Sequence, residues 1–275
     1  MTAVSPLVRD EPSDLGSSHD VALSDVCLNF GGLRVLTDVT CSIRKGETYG
    51  IVGPNGAGKT SLLNCLSGNY IPSSGQINIL GQSTTGLRPH RIVDMGLART
   101  FQNVGAFRDM KAIDVVLLGR HSHMRYGIGA YALGIPLMNG HEREQLDRAM
   151  EALTFVGLAS IANRRLGELP YGAGKLVDLA RTLAAEPKVL LLDEPTSGLS
   201  HIERSATQEL LWRIRDERHV TQILVEHNMQ LATALCHRIL VLSGGTKLAE
   251  GTPTEALSQP DVITAFLGGG ARPEA

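Results

Sequence analysis

The sequence predicts an α/β fold with a mostly parallel central sheet, and three observations carry that prediction. Near-continuous apolar runs at residues 48–52, 189–192, 222–226 and 239–242 read as strands covered on both faces, as strands of a parallel sheet are. Helical periodicity fills much of the chain between them. The first run feeds a glycine-rich loop, Gly53-Pro54-Asn55-Gly56-Ala57-Gly58-Lys59-Thr60, which passes directly into a helical stretch beginning at Ser61.

In chain order, residues 1–20 are rich in Ser, Asp, Pro and Glu and are expected to form a disordered or loosely packed tail. Residues 21–28 and 39–43 have strand character, with Gly31-Gly32 turning between them, so an antiparallel β region precedes the glycine loop. Phe30, just before that turn, suits stacking on a flat base and filling a core equally well. After the helix that follows the loop, residues 72–75 make a turn and residues 76–80 a short strand. Residues 96–100 bring the chain back to the sheet and reach Phe101-Gln102. From about residue 106 to 184 the pattern is helical, with a glycine-rich insertion at 127–140. Leu146, Met150 and Leu153 recur at helical spacing, and Leu176, Leu179, Ala180 and Leu183 share one face of a helix over 172–184. This reads as an inserted helical subdomain dividing a core of about 21–105 and 185–270, with 271–275 as a C-terminal tail. Ile202, Ala206, Leu210 and Ile214 mark a further helix, and 239–242 reads as the last long strand. No internal repeat is visible, so the chain carries one site unit.

The 275 residues are 43% hydrophobic and 20% charged, enough for a sizeable core and ordinary for a globular protein. A formal net charge of −2 leaves no basic footprint, and no nucleic-acid partner is expected. No apolar run reaches the ~18 residues of a membrane span. The polar start, with Asp10, Glu11 and Asp14, does not read as a signal peptide, so the chain is expected to stay in the cytosol. Cys27, Cys41, Cys65 and Cys236 form no C-x-x-C pair and read as buried free thiols.

The glycine loop fits G-x-x-x-x-G-K-[ST], a phosphate-binding loop. Glycines let the backbone wrap closely around a triphosphate, inward N–H groups form an anion nest, and the following helix adds its positive end. Lys59 would reach the outer phosphates and the Thr60 hydroxyl a Mg²⁺ ion. Asp193-Glu194 ends a buried strand, where open α/β sheets place ligands. Asp193 stands where a carboxylate helps hold Mg²⁺, and Glu194 could polarise a water for attack on the γ-phosphate. Gln102 and His227 are polar residues at strand ends, each a weak signal alone.

Together these motifs resemble the ATP-binding-cassette (ABC) transporter ATPases, a P-loop NTPase family, over about residues 21–268. The chain looks most like the ATP-binding subunits of branched-chain amino-acid and urea importers. Phe30-Gly31-Gly32, Arg99-Thr100-Phe101-Gln102, the glycine-rich insertion, Leu169-Pro170-Tyr171-Gly172 and the ending from Pro260 to Gly268 carry that likeness. The resemblance implies ATP and Mg²⁺ as cofactors and hydrolysis coupled to transport through a separate integral-membrane permease. It implies a cradle of Gly53, Pro54, Asn55, Gly56, Ala57, Gly58, Lys59, Thr60 and Ser61, with Phe30 stacking on adenine. Asp193, Thr60 and Gln102 would serve the metal, Gln102 also sensing the permease, Glu194 would be the catalytic glutamate and His227 would contact the γ-phosphate. Residues 169–175 match the signature loop, whose Tyr171 and Gly172 would close over the nucleotide of a second cassette in a head-to-tail dimer. The location implied is the cytoplasmic face of the inner membrane, peripheral through the permease. The other readings are a soluble non-transport ABC ATPase and a weakly active regulatory cassette.

The chain departs from the family pattern Leu-Ser-Gly-Gly-Gln, reading Leu169-Pro170-Tyr171-Gly172-Ala173, and has Ser200 where many relatives have Asp. Pro170 lacks an N–H and Ala173 an amide. Losing one charge-assisted hydrogen bond slows a phosphate-dependent step roughly ten- to a hundredfold. The site completed in trans by this signature is therefore expected to be weaker than the one its own glycine loop builds.

Overall fold

The computed structural model describes residues 19–101, 104–123 and 140–267. Gln102, nearly all of the expected N-terminal tail and of the glycine-rich insertion, and the C-terminal tail lie outside the described residues.

β1 (His19–Phe30) and β2 (Leu33–Arg44) form a long hairpin, turned at Gly31 with φ 57°. β1 also pairs with β4 (Ser74–Ile79), and β4 with the short β5 (Gln82–Ser83), giving a four-stranded antiparallel sheet. The second sheet has six strands, ordered β10 (Thr246–Gly251), β9 (Arg238–Ser243), β3 (Thr48–Val52), β8 (Thr221–Glu226), β7 (Val189–Asp193) and β6 (Leu97–Arg99). Its neighbours are parallel except β10, which is antiparallel to β9.

Each inner strand serves two cores. On β7, Val189 and Leu191 enter an apolar cluster shared with the antiparallel sheet and α1 (Lys59–Leu66). Leu190 and Leu192 enter a second cluster shared with α3 (Ala112–Leu118), α4 (Gly140–Phe155) and α5 (Tyr171–Ala184). Burial on both faces is why this run is apolar without alternation. The short α2 (Pro89–Asp94) precedes β6, and α6 (His201–Arg218), α7 (Met229–Leu235), α8 (Pro253–Leu257) and α9 (Pro260–Leu267) complete the order. Buried Arg120 gathers the helical region by donating to Gln145 Oε1, the Ala184 carbonyl and Glu186 Oε1 at 2.8, 2.6 and 2.8 Å.

The structure corrects some boundaries. β1 begins at His19, and Asp20 Oδ2 accepts from Thr221 Oγ1 at 2.5 Å, so the expected tail overruns the first strand by two residues. Residues 239–242 are not the last strand, because β10 follows. That edge strand buries only Ala249, and its Thr246 and Lys247 face solvent, so it lacks an apolar signature. The buried face of α5 is broader than the expected stripe: Val177, Asp178, Thr182 and Ala184 are buried, whereas Leu176 and Leu183 are half-buried. Cys41, Cys65 and Cys236 are buried free thiols, each pushed up to about 12 chiefly by desolvation, and Cys27 is half-buried.

Candidate nucleotide site

β3 delivers the chain to the glycine loop at its carboxyl end. Gly53 has φ 155°, and a Cβ there would sit 2.2 Å from the Leu242 carbonyl oxygen on β9. Gly58, with φ 98°, is the N-cap of α1 and supplies no side-chain cap. No side chain caps the first turn of α1, an arrangement that suits an anion at this helix start. Asn55, Gly56 and Thr60 are exposed and Ser61 is half-buried. Lys59, only 7% exposed, folds back and donates to the carbonyls of Gly53 at 2.7 Å and Pro54 at 2.9 Å. Burial holds its ammonium below the ordinary lysine range, while the charges of Glu194 and Asp193 pull it upward.

Asp193 closes β7 beside this loop. Its Oδ2 pairs with Arg99 Nη2 at 2.9 Å, and its buried Oδ1 has no hydrogen-bond partner. Arg99, at the end of β6, also donates from Nη1 to Asn64 Oδ1 at 2.6 Å and Ser67 Oγ at 3.0 Å. One guanidinium therefore ties the loop helix to the acidic strand end, with the planar fork that arginine provides. Glu194 has φ 48°, a left-handed conformation unusual for a residue with a Cβ. Its Oε1 lies 3.6 Å from His227 Nδ1, with both side chains open to solvent. Behind His227, buried Glu226 accepts from Thr196 Oγ1 at 3.0 Å, and desolvation raises its carboxyl above the ordinary range.

Lys59, Asp193, Glu194 and His227 are thus brought together around the strand ends. Phe30 stands elsewhere, at the end of β1, half-exposed and edge-on to Tyr70 with ring centroids 5.1 Å apart. It does not fill a core. Tyr70 is anchored by its N–H to the Asn64 carbonyl at 3.0 Å, at the far end of α1.

Tyr171 and Gly172 begin α5. The Tyr171 ring rests on Gly198, where a Cβ would come within 2.9 Å of it, and a Cβ on Gly172 would meet Glu203 Oε1 at 2.3 Å. Tyr171 lines a cavity of about 80 Å³ with Thr100, Lys175, Asp193, Glu194 and Ser197, so it sits behind its own chain's acidic strand end and not on its own glycine loop. Ser200 is the N-cap of α6: its Oγ accepts from the Glu203 N–H at 3.4 Å, and Glu203 accepts from the Ser200 N–H at 2.9 Å.

Sequence reasoning gave no role to Arg99, Asn64, Tyr70 or Lys175. A cation at the carboxyl end of a strand was the available signal for Arg99. The others declare themselves only through contacts distant in sequence.

A family model described as ABC transporter matches residues 36–197. The chain is 38% identical over 248 residues to LivG, the high-affinity branched-chain amino acid transport ATP-binding protein of Salmonella typhimurium, covering 90% of this chain and 97% of that protein. Among solved structures, the ADP conformation of MJ1267, an ATP-binding cassette of an ABC transporter, is 25% identical with a TM-score of 0.80 and covers 92% of this chain and 100% of that one. A dimeric post-hydrolysis state of the ATP-binding cassette MJ0796, bound to ADP and Pi, is 26% identical with a TM-score of 0.72 and covers 85% of this chain and 98% of that one. With the site's geometry in place, these matches assign the fold and the lineage together: the chain belongs to the ABC transporter family.

Proposed function

We propose that the chain is the ATP-binding, ATP-hydrolysing subunit of an importer for branched-chain amino acids or a related small polar solute. The observation that carries the catalytic reading is the convergence of Lys59, Asp193, Glu194 and His227 at the carboxyl end of one sheet. The glycine loop would cradle the phosphates through its N–H groups, with Lys59 exchanging two backbone carbonyls for phosphate oxygens. Phe30, exposed and steadied by Tyr70, would stack on the adenine. Glu194 would take the proton of the attacking water, and His227 would hold the γ-phosphate facing it.

The residues present fit Mg²⁺. The unpartnered Asp193 Oδ1 and the exposed Thr60 hydroxyl are hard oxygen donors, and Mg²⁺ beside a nucleotide needs only one or two protein ligands. Asp193 and Thr60 would hold it, with Gln102 as a third contact. Bound there, the ion would offset charge on the phosphates.

The importer reading draws on the likeness to LivG, a high-affinity branched-chain amino acid transport ATP-binding protein matched over nearly its whole length. Its likeness favours transport over a soluble or purely regulatory cassette. No helix among the described residues is long and apolar enough to cross a membrane, so a separate permease would supply the path and hold this subunit at the cytoplasmic face. The dimer of MJ0796 supports pairing with a second cassette, the same chain or a paralogue, with Tyr171 and Gly172 facing the partner's nucleotide. The test is ATP turnover by the full chain. Lys59→Ala should weaken ATP binding, whereas Glu194→Gln should bind ATP normally and lose about a hundredfold or more in kcat. Wild-type turnover in Glu194→Gln would sink the assignment. Leucine uptake by the chain reconstituted with its permease tests the substrate class.

A further inference from the structure

The signature helix is fastened to the acidic strand end by one side chain. Lys175, on the first turns of α5, donates from Nζ to the Glu194 carbonyl at 2.9 Å, the Ser197 carbonyl at 2.7 Å and, more weakly, the Pro195 carbonyl at 3.4 Å. All three hydrogens of the ammonium are aimed at one turn. That turn begins with Glu194 in the left-handed region, a conformation that persists only where its surroundings hold it. On the other side the Glu194 N–H is fixed to the Val225 carbonyl at 3.0 Å. The same ammonium lies 5.5 Å from the centroid of the Tyr171 ring. Tyr171, in turn, packs on Gly198 at the end of the clamped turn.

We infer that Lys175 is a positioning residue: it holds the Glu194 turn in its left-handed conformation and links that turn mechanically to the signature residue Tyr171. Whatever presses on Tyr171 from a second cassette is then transmitted to the backbone of this chain's own Glu194. The inference deepens the proposed function and rests on Glu194 activating the water. The link to Glu194 runs through Lys175 and Tyr171 and needs no amide at Ala173.

The test compares Lys175→Met and Lys175→Arg in the full-length chain, measuring ATP turnover, binding of a fluorescent ATP analogue and thermal melting. Methionine keeps most of the length and removes every donor. It should lower kcat about ten- to a hundredfold and leave the analogue's Kd within about twofold, because the glycine loop is untouched. Arginine, which also donates to several carbonyls, should restore at least about a third of the turnover. On the residual turnover of Glu194→Gln, Lys175→Met should have little further effect, as residues acting through one another are non-additive. Wild-type kcat in Lys175→Met, a loss of binding matching the loss of turnover, or a full additional loss beside Glu194→Gln would each overturn the inference. If the methionine variant does not fold, Lys175→Gln carries the test, with about a three- to tenfold loss expected and an unchanged kcat overturning it. Wild-type turnover in Glu194→Gln would instead remove the underlying role of Glu194. An inactive Glu194→Gln beside a fully active Lys175→Met would remove only this inference.

Discussion

Lys59 is a buried cation held by two backbone carbonyls. Its ammonium is held below the ordinary value of 10.5 by burial. The unfolded chain then binds this proton more tightly than the folded one. The lysine therefore weighs against the fold at neutral pH, and that penalty is relieved as pH rises from the lowered pKa toward 10.5. A triphosphate held beside it as proposed would have the opposite effect and raise the lysine pKa. ATP binding at a pH between the lowered lysine pKa and 10.5 should take up a fraction of a proton in the wild type and less in Lys59→Met. Calorimetry in two buffers of different ionisation enthalpy reads this directly, and equal heats in both would contradict it. Gly53 is as constrained by space as Lys59 is by charge. Gly53→Ala would drive a Cβ into the Leu242 carbonyl, and should destabilise the chain by roughly 3 kcal/mol or more in urea unfolding. Arg99 should behave differently. Arg99→Ala leaves a buried carboxylate unpaired, so the protein should lose about 3 kcal/mol in the same assay, part of it returned by Mg²⁺.

At the scale of elements, α6 shows how a departure from the family pattern can have a local use. Ser200 forms a reciprocal capping box with Glu203, so the position is filled by a good N-cap. Ser200→Ala should lower stability by about 1 kcal/mol, whereas Ser200→Asp should change it little, both read by thermal unfolding. Ser200→Asp falling as far as alanine would contradict the cap. The elements also explain which parts of the fold were legible. β3, β7, β8 and β9 bury both faces, so their apolar runs stand out from sequence alone. β10 was hidden because an edge strand paired on one side has little to bury. The glycine loop was legible because a contiguous eight-residue pattern encodes it. The ties made by Arg99 and Lys175 were not, since they join residues 94 and 19 positions apart through folding alone.

The whole molecule places its acidic strand end between two partly independent surroundings: the glycine loop on one side and the cavity beneath Tyr171 on the other. In the proposed dimer, the altered signature would make the trans contact the weaker of the two. Ala173→Gln in the assembled transporter should then raise ATP turnover about tenfold, in keeping with about 1.5 kcal/mol for a restored charge-assisted hydrogen bond. Unchanged turnover would count against that view. Glu194→Gln should run as an ATP-dependent dimer in size-exclusion with light scattering if two copies suffice, and as an ATP-binding monomer if a paralogue completes the site.

The arrangement of two cores on opposite faces of one sheet also equips the protein with internal clocks. Cys41 and Cys65 lie in the core beneath the antiparallel sheet, and Cys236 in the core beneath the helices. Each thiol is protonated and shielded, so a labelling reagent reaches it only when its own layer opens. Timed alkylation followed by mass mapping would give separate opening rates for the two layers without any introduced probe. Nucleotide should lengthen the lifetimes of Cys41 and Cys65, which share a core with α1, more than that of Cys236.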